Sequence, residues 1–271
     1  MRHRAWTERA GQAANRLLIG LACLAVFLPL ILTLYLSLFN EQIIVFPPHA
    51  YTLAWYAQIA GKFGDAIWTS LRIAMAAVAL SLLIGIPAGI GLSRYRFPGR
   101  GALSTLLLAP LTIPGIAIGL AIYVLAVWIE EQTGLALAGS LRLLIMAHVL
   151  ITMPWVVRLC LASLTNHERT TEEAAASLGA NPIRVLLRVT LPAMRPGIVA
   201  AALFAFIVSF ENLELNLFLV APGLTTLPVA VLQYLQYHID PLVAAVAVAQ
   251  MAIVGAALML LDRFVRLGQV L

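Results

Sequence analysis

Charged residues are scarce in this chain, making up 11% of its 271 positions, whereas hydrophobic residues make up 62%. Soluble domains are about a quarter charged and about half apolar. The mean hydropathy of +0.97 points in the same direction. These proportions exclude a soluble globular enzyme. They also exclude an intrinsically disordered chain, which would need low hydrophobicity.

Lysine is almost absent, because 16 of the 17 basic residues are arginine and the only lysine is Lys62. A Walker A nucleotide-binding loop needs a lysine in the pattern G-x-x-x-x-G-K-[ST]. Phe63 follows Lys62 where that pattern has serine or threonine. The chain is therefore not expected to bind ATP in that way, and an ATP-driven activity would need a second protein.

The chain has two cysteines, Cys23 and Cys160, and both lie in apolar runs. They offer neither metal-binding spacing nor a disulfide framework, and we expect both to be buried in a membrane core as small hydrophobic residues. The sequence also lacks a Ser-His-Asp arrangement and a glycine-rich phosphate loop, so no catalytic site, metal or cofactor is expected on this chain. His148 stands alone in an apolar run; we interpret it as a packing residue, with a proton relay as the alternative.

Six runs are long and apolar enough to cross a bilayer, which takes about 20 residues in a helix. They predict an all-α polytopic membrane protein with six transmembrane helices, flanked by short terminal segments at residues 1–16 and 268–271. The predicted spans are residues 17–39, 67–92, 103–129, 143–164, 197–220 and 242–267.

The positive charges are distributed unevenly between the two sides of the predicted membrane domain. Fourteen of the 17 cations lie in the two termini and the second and fourth connections, or in the ends of the spans next to them. Such asymmetry places both termini in the cytoplasm. It also explains the net charge of +5, so nucleic-acid binding is not expected.

Two connections on the opposite side carry signals for short helices. The segment 40–66 contains Trp55 and Tyr56, which are typical of a helix lying at the membrane interface. Residues 227–237 have helical apolar spacing. The turn signal Ala221-Pro222-Gly223 precedes that helix and Asp240-Pro241 follows it.

The fourth connection, residues 165–196, has the most explicit local chemistry. Thr170 and Glu173 match a capping box, three alanines follow, and Gly179 is placed to end the helix in a left-handed conformation. Asn181 and Pro182 then predict the start of a second helix, running to residue 191 and interrupted by Pro192. The residues alone are compatible with a well-capped loop or with a surface that another protein approaches closely.

The same loop resembles the EAA loop of permease subunits of binding-protein-dependent ABC importers. The resemblance is carried by Glu173-Ala174-Ala175, Gly179, Val189 (where the family usually has isoleucine) and Leu191-Pro192. It extends over most of the chain. Three further segments look most like the spermidine/putrescine permease branch: Ser209-Phe210-Glu211-Asn212, Pro222-Gly223-Leu224-Thr225-Thr226-Leu227-Pro228 and Asp240-Pro241.

This resemblance implies a type I ABC importer permease (MetI-like) fold in a bacterial inner membrane. The implied partners are a dimer of ATPase subunits, which hold ATP and magnesium, a second permease subunit as a heterodimer, and a periplasmic or surface substrate-binding protein. The implied role of the loop is to dock into the ATPase and to transmit its closure. The residues that would carry this coupling are Glu173, Ala174, Ala175, Gly179, Leu191 and Pro192.

Two acidic residues, Glu211 and Glu214, fall inside the predicted fifth span. A helix starting at Gly197 would place Glu211 about 21 Å along its axis, and residues three apart share a helix face. Acidic residues at such depth are costly unless they face water or a partner. With Asn212 they predict a pathway for a cationic solute; the alternative is a structural pair bonded to a neighbouring helix or to the other permease.

The solute remains open at the level of sequence. The polyamine branch usually carries paired aspartates where this chain has Glu211-Asn212. Similar permeases serve opines, phosphonates and ferric iron, while a polyamine such as spermidine or putrescine best suits the acidic pair. A self-sufficient secondary transporter is the alternative from a different class, and it would transport without an ATPase.

Overall fold

The computed structural model describes residues 2–41, 45–165 and 169–265. The described part is helical, and its β-structure is limited to two isolated bridges, Phe39 with Tyr51 and Ala221 with Leu224. The helices are α1 (Arg2–Leu36), α2 (Ala54–Arg94), α3 (Arg100–Leu108), α4 (Gly115–Thr133), α5 (Leu141–Thr165), α6 (Thr170–Ser177), α7 (Pro182–Val185), α8 (Leu191–Ala193), α9 (Arg195–Phe210), α10 (Asn216–Leu219), α11 (Leu227–Leu235) and α12 (Pro241–Val265).

Five of the described helical segments are long and apolar enough to cross a membrane. They are the apolar part of α1, then α2, α4, α5 and most of α12. A sixth crossing follows if the bent pair Pro182–Ala193 and Arg195–Phe210, whose axes differ by 67°, is one span. The predicted all-α class is confirmed. The terminal segment 268–271 and the end of the sixth predicted span lie outside the described residues.

Three predicted elements were wrong in detail. Residues 103–129 are not one helix, because α3 and a short 3-10 turn at Ala109–Leu111 precede α4, which begins after Pro114. Proline lacks the amide that would continue the helical ladder. Residues 197–220 are also divided, since α9 ends at Phe210 and α10 begins at Asn216. The interfacial helix expected within 40–66 is instead the first part of the 41-residue α2.

The chain forms two compact units, Met1–Lys62 with Leu235–Ala252 and Phe63–Tyr234 with Ile253–Leu271. In the first unit, the indole Nε1 of Trp55 donates a hydrogen bond of 2.6 Å to the carbonyl of the fully buried Phe39. Tyr56 and Ser37 are joined through their hydroxyls at 2.6 Å. These bonds fix the start of α2 against the segment that follows α1. Cys23 lies in the apolar part of α1, on the surface of the protein.

The second unit is built around α5, whose buried residues include Leu144, His148 and Cys160. Small residues allow other helices to approach it closely. A methyl group on Gly85 of α2 would lie 2.7 Å from Val156, and one on Gly197 of α9 would lie 2.5 Å from Ser163. Close backbone approach of this kind replaces the hydrophobic effect as the basis of helix packing in lipid.

Candidate functional site: a two-helix loop and a polar break

The loop at residues 165–196 contains the predicted sharp turn between α6 and α7. Gly179 has φ of +86°, its amide donates to the carbonyl of Ala176 at 2.9 Å, and the Ala180 amide donates to the carbonyl of Ala175 at 3.1 Å. This pair of bonds is a Schellman motif. No atom lies within 4 Å of a methyl group placed on Gly179, so the position requires glycine for its backbone conformation and not for space.

The two predicted caps of this loop had different outcomes. Asn181 caps α7 as predicted, since its side chain accepts a hydrogen bond of 2.8 Å from the amide of Arg184, with Pro182 as the first helical residue. The predicted capping box at Thr170 is wrong. The helix begins at Thr170 itself, the capping position is Arg169, and no side chain caps the helix there.

Glu172, the neighbour of the predicted coupling residue, ties the loop to the rest of the unit. Its Oε1 accepts hydrogen bonds from Arg94 Nη2 at 2.9 Å and from Thr190 Oγ1 at 3.0 Å. Arg169 Nη2 donates to the carbonyl of Arg94 at 2.7 Å. The side chains of Arg94 and Glu172 are only 13% and 19% exposed. Water therefore competes little for the hydrogen bond between them. Sequence reasoning missed this role of Glu172.

The opposite side of α6 and the turn is open to solvent or to a partner. Glu173 and Ala174 are exposed, and Leu178 is 90% exposed. Ile183 and Leu187 add further exposed apolar surface. These exposed apolar side chains are candidates for contact with a partner.

The predicted second helix of the loop is more irregular than expected. A π-helical turn at Leu186–Thr190 separates α7 from α8, and the chain bends again at Met194 before α9. Pro192 explains the irregularity, because its ring and missing amide are incompatible with a regular bond to residue 188. Leu191 and Pro192 are half-buried in α8, so they do not belong to the exposed surface around Leu178.

The break in the predicted fifth span separates the two acidic residues. Glu211 is at the capping position of α9, with φ of −94° and ψ of 3°, and the segment 211–215 is not helical. Glu211 and Glu214 therefore do not share a helix face, contrary to the prediction. Both are exposed, and Asn212 is half-buried. Non-helical backbone at membrane depth is tolerated where it is buried in protein or lines a wet cavity.

Glu214 lies against the start of α4. A methyl group on Gly115 would be 2.5 Å from Glu214 Oε2, and one on Gly119 would be 2.8 Å from the carbonyl oxygen of Leu215. Gly115 is the first residue of α4, and the N-terminus of a helix favours a carboxylate. Glu214 is thus placed as a structural contact between α4 and the break, whereas Glu211 has no such contact among those the structure records.

Asn212 belongs to a buried polar cluster that joins the break to α5. Asn212 Oδ1 accepts a bond of 3.0 Å from the amide of Leu215, and its carbonyl accepts one of 2.6 Å from Asn216 Nδ2. His148 of α5 then contacts Asn216 Oδ1 at 3.0 Å and Ser209 Oγ at 2.7 Å. His148 is therefore a satisfied, buried residue, as the packing interpretation predicted. Within the described residues, no group of three or more potential metal ligands occurs.

The described part of the chain thus combines membrane-spanning helices, a non-helical polar segment at residues 211–215 and a two-helix loop before α9, an arrangement typical of a membrane transport subunit. The chain belongs to the family described as binding-protein-dependent transport system inner membrane component, whose model matches residues 81–267. It is therefore an ABC-transporter permease subunit, a multi-pass protein of the inner membrane. The family implies an ATPase and a substrate-binding protein as partners.

Curated relatives of this chain serve more than one solute. It is 29% identical over 242 residues to the putrescine transport system permease protein PotI of Escherichia coli K12, covering 88% of this chain and 85% of the relative. It is 30% identical over 266 residues to the putative 2-aminoethylphosphonate transport system permease protein PhnV of Salmonella paratyphi A, covering 97% of this chain and 98% of the relative.

Solved structures share the fold at lower identity. A chain of the MetNI methionine ABC transporter in an inward-facing conformation matches with a TM-score of 0.62 and 20% identity, covering 77% of this chain and 96% of that chain. A chain of a bacterial ABC transporter involved in the import of the acidic polysaccharide alginate matches with a TM-score of 0.66 and 16% identity, covering 93% of this chain and 94% of that chain. The MetI-like fold predicted from the sequence is confirmed.

Proposed function

We propose that this permease imports a small solute that carries a primary ammonium group, a polyamine such as putrescine or spermidine. The observation that carries the proposal is the exposed carboxylate of Glu211 at the C-terminal end of α9, inside the break. A helix C-terminus has partial negative charge, so it adds to the attraction of Glu211 for a cation. Secondary transporters place cations at the C-terminal ends of broken helices, and we propose the same use of the break here.

The names of the relatives support the same chemistry. Putrescine and 2-aminoethylphosphonate, named for PotI and PhnV, share a primary ammonium group and differ in the second charged group. The second candidate solute is accordingly 2-aminoethylphosphonate, favoured by a match that extends over 97% of this chain. The negative charge of its phosphonate would be repelled by Glu211, whereas both ammonium groups of putrescine are attracted to carboxylates.

We further propose that the loop receives its driving force from a separate ATPase, which holds ATP and magnesium. The contact residues would be the exposed Glu173, Ala174 and Gly179 and the half-buried Ala175, with Leu191 and Pro192 supporting the second bend. Two observations support this assignment: Leu178 projects from the same surface, and the single lysine, Lys62, is outside a Walker A pattern.

In the proposed assembly, a second permease completes the pathway as a heterodimer and both termini lie in the cytoplasm, on the side of the loop. Closure of the ATPases moves the loop, and the pathway alternates between inward and outward access. The arginine distribution supports the orientation. A secondary transporter would instead transport the solute with no ATPase present.

The test is uptake of radiolabelled putrescine by cells that express the chain together with its native partners. Glu173→Lys and Gly179→Glu are expected to abolish uptake while the variants still insert into the membrane at normal levels. Lys62→Arg, at a position remote from the loop in sequence, is the control and should transport normally. Unchanged uptake in both loop variants would refute the coupling assignment.

A further inference from the structure

His148 of α5 contacts both sides of the break in the fifth span. One ring nitrogen, Nδ1, lies 2.7 Å from Ser209 Oγ, in the last turn of α9 before the break. The other, Nε2, lies 3.0 Å from Asn216 Oδ1, at the first residue of α10 after the break. A single side chain from a different helix therefore spans the segment that carries Glu211, Asn212 and Glu214.

The direction of each hydrogen bond follows from the neighbouring groups. The Asn212 carbonyl can only accept, so the atom of Asn216 that faces it at 2.6 Å is the donating Nδ2. Asn216 Oδ1 is then left to accept from His148 Nε2–H. In the neutral ring the second nitrogen is an acceptor, and Ser209 donates its hydroxyl proton to Nδ1.

Burial makes this arrangement rigid. His148 and Asn216 are each 1% exposed, and Ser209 is buried as well. A buried polar group that loses its partner pays the cost of desolvation without compensation, so the alternatives to this arrangement are unfavourable. His148 itself does not reach the surface on which Glu211 is exposed, and it can act on a solute only through the backbone of the break.

We propose that His148 is a positioning residue that holds the ends of α9 and α10 so that Glu211 faces the solute. The inference about the solute rests on the proposed function, whereas the inference about the break does not. This clamp, formed by His148 with Ser209 and Asn216, would hold the five-residue non-helical segment 211–215 in one conformation. It also assigns a purpose to a histidine that no part of the coupling loop requires.

The chain offers a closely matched pair of variants for the test. Ser209→Ala removes the hydroxyl on the α9 side of the clamp. Ser81→Ala, the control, removes an equally buried hydroxyl of α2 that is 2.7 Å from Thr152 Oγ1. Thr152 in turn donates to the backbone carbonyl of His148 at 2.7 Å, so the control also lies beside His148. The chemical change and the bond length are the same, but only Ser209 adjoins the break.

The first measurement is hydrogen–deuterium exchange of the intact complex in lipid nanodiscs. Amides of the peptide covering 209–220 should exchange about tenfold faster in Ser209→Ala, as expected for loss of one buried hydrogen bond, and at the wild-type rate in Ser81→Ala. His148→Ala should give the same pattern with a larger change. Equal exchange of this peptide in wild type and Ser209→Ala, or equal acceleration in both serine variants, would overturn the clamp.

The second measurement is equilibrium binding of radiolabelled putrescine and of 2-aminoethylphosphonate to the same purified complexes. Ser209→Ala should weaken binding of the transported solute several-fold, while its thermal stability matches that of Ser81→Ala. Binding that is equal in all three complexes would refute the effect on the solute. If the wild-type complex binds neither compound, the proposed solute class fails, and the exchange result still decides whether His148 holds the break.

Discussion

The guanidinium of Arg94, the last residue of α2, is 2.9 Å from the carboxylate of Glu172 in α6. The same carboxylate accepts the hydroxyl of Thr190 at 3.0 Å. One side chain thus joins the end of a long membrane helix to both halves of the loop. In the proposed coupling to an ATPase, this carboxylate would connect a movement of α6 to the end of α2.

The first prediction distinguishes the structural role of Glu172 from that of its neighbour Glu173. Glu172→Ala should destabilise the loop by about 1–3 kcal/mol, because the mostly buried guanidinium of Arg94 loses its hydrogen-bond partner. Glu173→Ala, the matched control, removes an exposed carboxylate and should leave the loop ordered. Limited proteolysis within 165–196 measures the difference, and equal protection of the two variants would contradict the role assigned to Glu172.

The second prediction concerns the left-handed turn at Gly179. Gly179→Ala should strain the turn by about 1–2 kcal/mol, because an L-residue disfavours that conformation, and should lower ATP-dependent uptake severalfold. Gly99→Ala is the control, since Gly99 has φ of +83° and is equally free of neighbours. It bears the same strain outside the loop, and a matching loss of uptake in both variants would show that strain alone is responsible.

The third prediction distinguishes the two acidic residues of the break. Glu211→Gln should weaken binding of putrescine by up to about fivefold, the value of an exposed ion pair. Glu214→Gln should instead lower the thermal midpoint by roughly 1–3 °C, because it weakens the contact with the N-terminus of α4. Binding assays and thermal melts of the two variants decide between these roles. The assignment would be reversed if Glu211→Gln lowered the thermal midpoint and Glu214→Gln weakened binding.

The fourth prediction tests the packing of α4 against the break. Gly119→Ala would place a methyl group 2.8 Å from the Leu215 carbonyl oxygen, and overpacking against backbone costs about 1–3 kcal/mol. Gly64→Ala of α2 meets no atom within 4 Å and should be neutral or slightly stabilising. Thermal melts in detergent compare the two, and a neutral Gly119→Ala would mean that α4 is not held at Leu215.

The parts of the loop that the sequence predicted correctly are those set by adjacent residues. Gly179 ends α6 and Asn181-Pro182 begins α7 because each signal acts within a few positions. The break at Pro114 carried an equally local signal, a proline at a helix boundary, but a continuous apolar run concealed it. Apolar length alone is a poor guide to where a span is interrupted.

The features that could not be predicted depend on residues distant in the sequence. Glu172 and Glu173 are indistinguishable until Arg94, 78 residues earlier, is placed beside one of them. The end of α9 at Phe210 has no glycine or proline to signal it. It coincides with bonds from His148 to Ser209 and Asn216, 61 and 68 residues away, and only the folded chain brings these groups together.

In the proposed function, this permease moves an ammonium-bearing solute with energy from another chain. The most direct measurement is uptake of radiolabelled putrescine into proteoliposomes, which contain either this chain alone or the complex purified through a tag on it, with the binding protein added. The complex should take up putrescine only when ATP is present on the side of the loop, and the chain alone should take up none. Uptake by the chain alone, without an ATPase, would contradict the proposed function.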